Sequence, residues 1–153
     1  MGLVRQRHDK FFLTDLGDKY IQYAPIGALK NEISAQQADI WKQYIAKDPF
    51  SSHVVFGIYV IVESAFHLAR NSYPIQLDDL RTMFRTMGGK NTQWRAYKSL
   101  RTATSTFLNF AIDMGLLGKI GEQIVITPAG FQFILMLQLH KSIEMVESLS
   151  TNG

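Results

Sequence analysis

Residues 115–134 read GLLGKIGEQIVITPAGFQFI, and residues 2–21 read GLVRQRHDKFFLTDLGDKYI. The two stretches align without a gap at a constant offset of 113, with five identities: Gly2/Gly115, Leu3/Leu116, Thr14/Thr127, Gly17/Gly130 and Ile21/Ile134. Asp9/Glu122, Phe11/Ile124, Phe12/Val125, Leu13/Ile126 and Tyr20/Phe133 keep their chemical character. Each copy spells the same local events. The leading glycine suits the left-handed close of a helix. A polar tip follows, where Gly118 and Gly121 are able to turn the chain in the second copy. Phe11-Phe12-Leu13 and Ile124-Val125-Ile126 then suit a short strand. Thr14 and Thr127 stand where an N-cap is needed, and Pro128 takes the favoured first helical position.

The segment before the second copy reads as helix. Between Asn91 and Met114, the residues Trp94, Tyr97, Leu100, Thr104, Phe107, Ala111 and Met114 recur every three or four positions, as one inward face does. Arg95, Lys98, Arg101, Thr102, Ser105 and Asn109 fall opposite. The pattern leaves open whether this is one helix or two, but places a helix end at Gly115. Upstream, Asp78 and Asp79 favour a helix start, followed by a Leu77, Leu80, Met83, Phe84 stripe that Met87-Gly88-Gly89 ends. A helix opened by Ser51 or Ser52 and running to Arg70 is apolar almost all round and is expected to be the central buried one. Ser34 is expected to cap a helix reaching about Ala46, and Asp15 to Tyr23 gives another. Met83, Phe84, Phe107, Phe110 and Met114 are expected in the core, and Trp94 and Tyr97 to pack.

The chain has 153 residues, no cysteine and a net charge of +3. The absence of thiols excludes disulfides and thiolate metal sites and fits a cytoplasmic setting. Neither Val54–Ala69, interrupted by Glu63 and His67, nor Phe131–Leu139 reads as a membrane span. The charge is unevenly placed. From Arg81 to Ile112 there are six basic residues (Arg81, Arg85, Lys90, Arg95, Lys98, Arg101) and no acid. The remainder holds ten basic and thirteen acidic residues, a net −3. That concentration is what an electrostatic footprint for phosphate requires, and a solvated helix face is the competing explanation.

The order helix end, two strands, Thr cap and helix, with Thr14-Asp15-Leu16-Gly17 and Thr127-Pro128-Ala129-Gly130, resembles the winged helix-turn-helix superfamily. The resemblance covers roughly residues 54–140, with a trailing piece at 2–21. It implies a mainly α fold with a small β-wing, preceded by the wing and helix of an upstream repeat. The expected division is 1–23 as the tail of that upstream unit, 24–50 as a helical connector and 51–150 as the winged domain with its C-terminal helix. On this reading the chain is part of a larger regulatory or restriction-type protein. It also implies that double-stranded DNA is the partner, contacted by Arg85, Lys90, Arg95, Lys98, Arg101, Thr102, Ser105, Asn109 and Lys119. A looser similarity, to winged-helix tails of transporter-type ATPases, implies a protein-association module instead, although the acidic, Trp-Gly-containing end of those tails is missing.

The four histidines (His8, His53, His67, His140) have no metal-ligand spacing, and Gly88-Gly89-Lys90 lacks the strand and spacing of a phosphate loop. No catalytic constellation and no cofactor are expected. Phe131 to Leu139 has too many large apolar residues for one buried stripe, so the helix from Pro128 to about Val146 is a candidate homodimer contact.

Overall fold

The computed structural model describes residues 3–25, 33–89 and 97–150. Over these residues the chain is mainly helical, with two small antiparallel sheets. In order it runs β1 (Val4–Arg7), β2 (Lys10–Leu13), α1 (Asp15–Gln22), α2 (Ala35–Lys47), α3 (His53–Ala69), β3 (Ile75–Gln76), α4 (Leu77–Gly88), α5 (Tyr97–Asp113), β4 (Leu117–Ile120), β5 (Gln123–Ile126) and α6 (Pro128–Ser150). β1 and β2 form a hairpin, and the second sheet has the order β3-β5-β4.

The sequence repeat is a structural repeat. Val4 pairs with Leu13 and Arg7 with Lys10 in the first hairpin, and Leu117 pairs with Ile126 and Ile120 with Gln123 in the second. Every one of these positions is offset by 113. His8 and Gly121, equivalent again, both take positive φ (53° and 62°) at the first turn residue, as a two-residue hairpin turn demands. Gly118, expected to help turn the chain, lies instead inside β4 opposite Val125. The turn needs only Gly121 and Glu122, so the strand extends through Gly118.

Both hairpins close on the same clasp. Thr127 donates its backbone N–H to the Leu116 carbonyl at 3.2 Å, shares its hydroxyl proton between the Gly115 and Leu116 carbonyls at 2.5 and 3.0 Å, and accepts from the Gly130 N–H at 2.9 Å. Thr14 donates to the Leu3 carbonyl at 3.0 and 3.2 Å and accepts from Gly17 at 3.1 Å. A Cβ on Gly130 would overlap the Leu116 carbonyl oxygen, and one on Gly17 the Leu3 oxygen. The Thr-x-x-Gly signature therefore has a steric cause. Threonine supplies the cap, and glycine lets the helix start ride against a strand-end carbonyl.

The two copies differ in what covers them. Leu117, Ile124, Ile126 and Ile134 are buried, whereas their counterparts Val4, Phe11, Leu13 and Ile21 are exposed. The second hairpin packs on α3 and gains β3, where Ile75 pairs with Ile124 and Gln76 with Gln123.

α3 is the axis of the core, as its apolar circumference implies. Ser52 caps it, and Val55 and Ile58 through Ala65 are buried. Ser34 caps α2 in a full capping box with Gln37, whose side-chain amide also donates to the Tyr20 carbonyl at 2.9 Å. α2 is more than a connector, because Ala38, Ile45 and Ala46 belong to the same core cluster as α3. α6 contributes Phe133, Ile134 and Leu137 to that core, together with a polar anchor. Buried Glu63 on α3 accepts from Gln138 at 2.8 Å and lies 3.4 Å from the Lys141 ammonium, which also donates to the Tyr59 hydroxyl. Burial pulls the Lys141 pKa down, but the Tyr59 hydrogen bond and the Glu63 charge outweigh it and raise it above the ordinary lysine value. Glu63 Oε2 is buried and finds no hydrogen-bond partner among the described residues.

Candidate nucleic-acid interface

α5 is one uninterrupted helix over its described length. Its inner face is the expected one. Leu100, Ala103, Thr104, Phe107, Leu108 and Ala111 are buried, and the Thr104 hydroxyl is satisfied within the helix by the Leu100 carbonyl at 2.8 Å. Phe107 is the anchor. Its ring lies where a Cβ on Gly57 of α3 would stand, and its centroid is 5.9 Å from that of Phe84 on α4. Glycine in the middle of α3 thus lets α5 approach closely, at the expense of helix propensity.

The end of α5 is fixed as firmly. Gly115 has φ +69°, its N–H donates to the Ile112 carbonyl, and the Leu116 N–H reaches back to Ala111, both at 2.8 Å. This is the paired closure of a Schellman motif. β4 starts at Leu117, so the hairpin follows α5 within three residues.

With the inner face committed, the outer face is solvent. Lys98, Arg101, Thr102, Ser105 and Asn109 are all exposed, and their helical spacing keeps them on one side. Thr106 joins them and was not singled out from the sequence, though its place beside Ser105 and Asn109 signals it. Asp113, also exposed, ends the face with a negative charge. Phe110, expected in the core, is 40% exposed on the flank of this surface. The three-residue step from Phe107 rotates it away from the position that α3 and α4 enclose.

The other expected contacts fare differently. Arg85 is exposed in the last turn of α4. Arg81 is half-buried and paired with Asp78, so it adds little free charge. Lys119 lies in β4 and sits 3.6 Å from Glu122 across the hairpin tip, which leaves that tip electrostatically self-compensated. Lys90 and Arg95, with Trp94 and the Tyr97 side chain, fall outside the described residues. Among the described residues, no carboxylate pairs with Arg85, Lys98 or Arg101. The described part of the basic segment thus offers unpaired charge at the start of α5 and short polar groups along about the next two turns.

Among the described residues no group of His, Asp and Glu could hold a metal ion, and no helix is long and apolar enough to cross a membrane. Compared with known proteins, the chain matches no family model, no curated protein and no solved structure.

Proposed function

We propose that the chain is a winged helix-turn-helix module that binds double-stranded DNA, with α5 as its recognition helix and β4–β5 as its wing. The order α3–β3–α4–α5–β4–β5 and the sheet order β3-β5-β4 support this reading of the fold. The observation that carries it is the outward face of α5, where Lys98 and Arg101 precede Thr102, Ser105 and Asn109 on a helix whose inner face is built into the core. Arginine and lysine neutralise phosphates and release counterions, which gives affinity without sequence information. Short polar side chains let a helix backbone approach the major groove, and asparagine pairs with adenine through two hydrogen bonds. On this reading β1–β2 and α1 are a second copy of the wing and of the helix start that follows it.

A second reading, protein association without DNA, draws on α6. Phe131, Leu135, Leu139, Ile143, Val146 and Leu149 are exposed along one side of it, a stripe about 27 Å long at helical rise. Within the DNA reading, that stripe is a homodimer contact. Affinity for random and selected duplexes across a salt series decides between the two. Binding that weakens steeply with salt supports the DNA reading. No binding even at low salt refutes it and leaves association as the function.

A further inference from the structure

The first hairpin has a charged face that its fold does not require. Strand alternation and the register Arg5–Phe12 and Arg7–Lys10 put Arg5, Arg7 and Lys10 on one face with Phe12, and Val4, Gln6, Phe11 and Leu13 on the other. All these side chains are exposed. In the second hairpin the positions equivalent to Arg5, Arg7 and Lys10 are Gly118, Ile120 and Gln123, all uncharged, on the same backbone register. The ribbon forms without the charges, so they need another explanation.

Their arrangement is unfavourable for the protein alone. Arg7 and Lys10 are directly opposed, and like charges across a strand pair repel. Arg5 lies two residues along the same strand, about 7 Å away. Among the described residues, no carboxylate pairs with any of the three. A polyanion that meets this face removes the repulsion and supplies the missing counter-charge. The dimensions fit a duplex, since the major groove, about 12 Å wide, admits a two-stranded ribbon between its phosphate walls.

We propose that Arg5, Arg7 and Lys10 form a second phosphate-contacting face, which engages the backbone of duplex DNA in addition to α5. This rests on the DNA reading above and extends it to a hairpin more than eighty residues before the recognition helix. The contact is to phosphate, so it carries affinity and orientation without base preference. It also assigns to the first hairpin the role that Lys119, held by Glu122, fills poorly in the second.

The test is fluorescence anisotropy with a labelled random duplex and a labelled selected duplex, from low salt to about 0.3 M. It compares the wild type, R5Q/R7Q/K10Q, R5K/R7K and K98Q/R101Q. Each phosphate contact contributes about 0.9 to the slope of log affinity against log salt. The triple variant is therefore expected to lose about 2–3 units of slope, and about 10²–10³-fold in affinity at 0.1 M salt, on both duplexes alike. The charge-retaining R5K/R7K keeps the wild-type slope, which separates lost charge from a disturbed hairpin. If the triple variant binds like the wild type while K98Q/R101Q is weakened, this inference is overturned and the α5 reading stands. If the wild type binds no duplex at low salt, both fail. Hairpin-dependent binding to phosphatidylserine vesicles, without duplex binding, overturns the proposal in favour of a membrane surface.

Discussion

Replacing Gly130 by alanine reverses the usual sign of a glycine-to-alanine change in a helix. In an open helical position the substitution stabilises by about 1 kcal/mol. Here the new Cβ overlaps the Leu116 carbonyl oxygen and comes within 2.9 Å of its carbon. That carbonyl accepts the N–H of Thr127 and shares its hydroxyl with the Gly115 carbonyl, so it cannot retreat without disturbing both bonds. Two hydrogen bonds at about 1 kcal/mol each are at risk. Forcing apart packed backbone adds about 1–3 kcal/mol. Subtracting the propensity gain leaves a net loss of about 2–4 kcal/mol, which in a chain of this size lowers Tm by roughly 4–16 °C. Thermal and urea unfolding followed by far-UV circular dichroism measure it, with an unchanged m-value showing that stability alone has moved. Ser142→Ala, at an exposed position of the same helix, is the control and is expected within about 0.5 kcal/mol of wild type. A Gly130→Ala protein as stable as the wild type, or more so, would refute the steric explanation of the signature. Gly17→Ala meets the Leu3 carbonyl in the same way but in the uncovered copy. Its effect is expected as faster hydrogen exchange across β1–β2, with a smaller change in Tm.

Lys141→Met leaves Glu63 buried with Gln138 as its one hydrogen-bonding side chain among the described residues; it should cost about 1–3 kcal/mol, less than the roughly 3–5 of a fully buried pair because the Lys141 side chain is 42% exposed. Because the folded-state pKa of Lys141 is raised, its stabilising share is fully present below about pH 10.5 and fades as pH rises through the folded value. Wild type should thus lose stability above pH 10.5 more steeply than Lys141→Met does, and parallel losses in urea titrations at pH 9 and 11 would exclude the linkage. On DNA, Asn109→Ala is expected to cost about 1–3 kcal/mol on a selected site and little on random duplex; equal behaviour on both makes Asn109 a plain surface residue. For the α6 stripe, Leu139→Glu with Ile143→Glu should convert a dimer into monomer in sedimentation experiments, and a wild type that is monomeric at high concentration removes that contact.

Much of this architecture is legible in the sequence where the signal is local. Caps at Thr14, Ser34, Ser52 and Thr127, the buried stripe of α5 and the closure at Gly115 follow from residues a few positions apart. What escapes is built across distance. β3 has only two residues and owes its existence to pairing with β5, nearly fifty positions away. Glu63 stands out as an interruption of an apolar helix, but its partners Gln138 and Lys141 lie 75 and 78 residues downstream, on α6. Phe110 shows the limit of counting by residue type, since a large aromatic beside a core position still faces outward if the helix turns it there. The basic face of β1–β2 escaped for a related reason. Arg5, Arg7 and Lys10 look scattered among polar residues until strand register sorts them onto one side.

The clasp at Leu116 also makes the second hairpin and α6 a single lever. One carbonyl joins the root of β4 to the first turn of α6, so the hairpin cannot tilt without carrying the helix with it. The core grips α6 through Phe133, Ile134, Leu137 and Lys141, and the described side chains beyond Lys141 are exposed. A helix of 23 residues is about 34 Å long. The clasp at its first turn and the grip of the core from Phe133 to Lys141 together fix the line along which the turns beyond Lys141 project, so the position of the second hairpin and the direction of that exposed end are set by the same contacts.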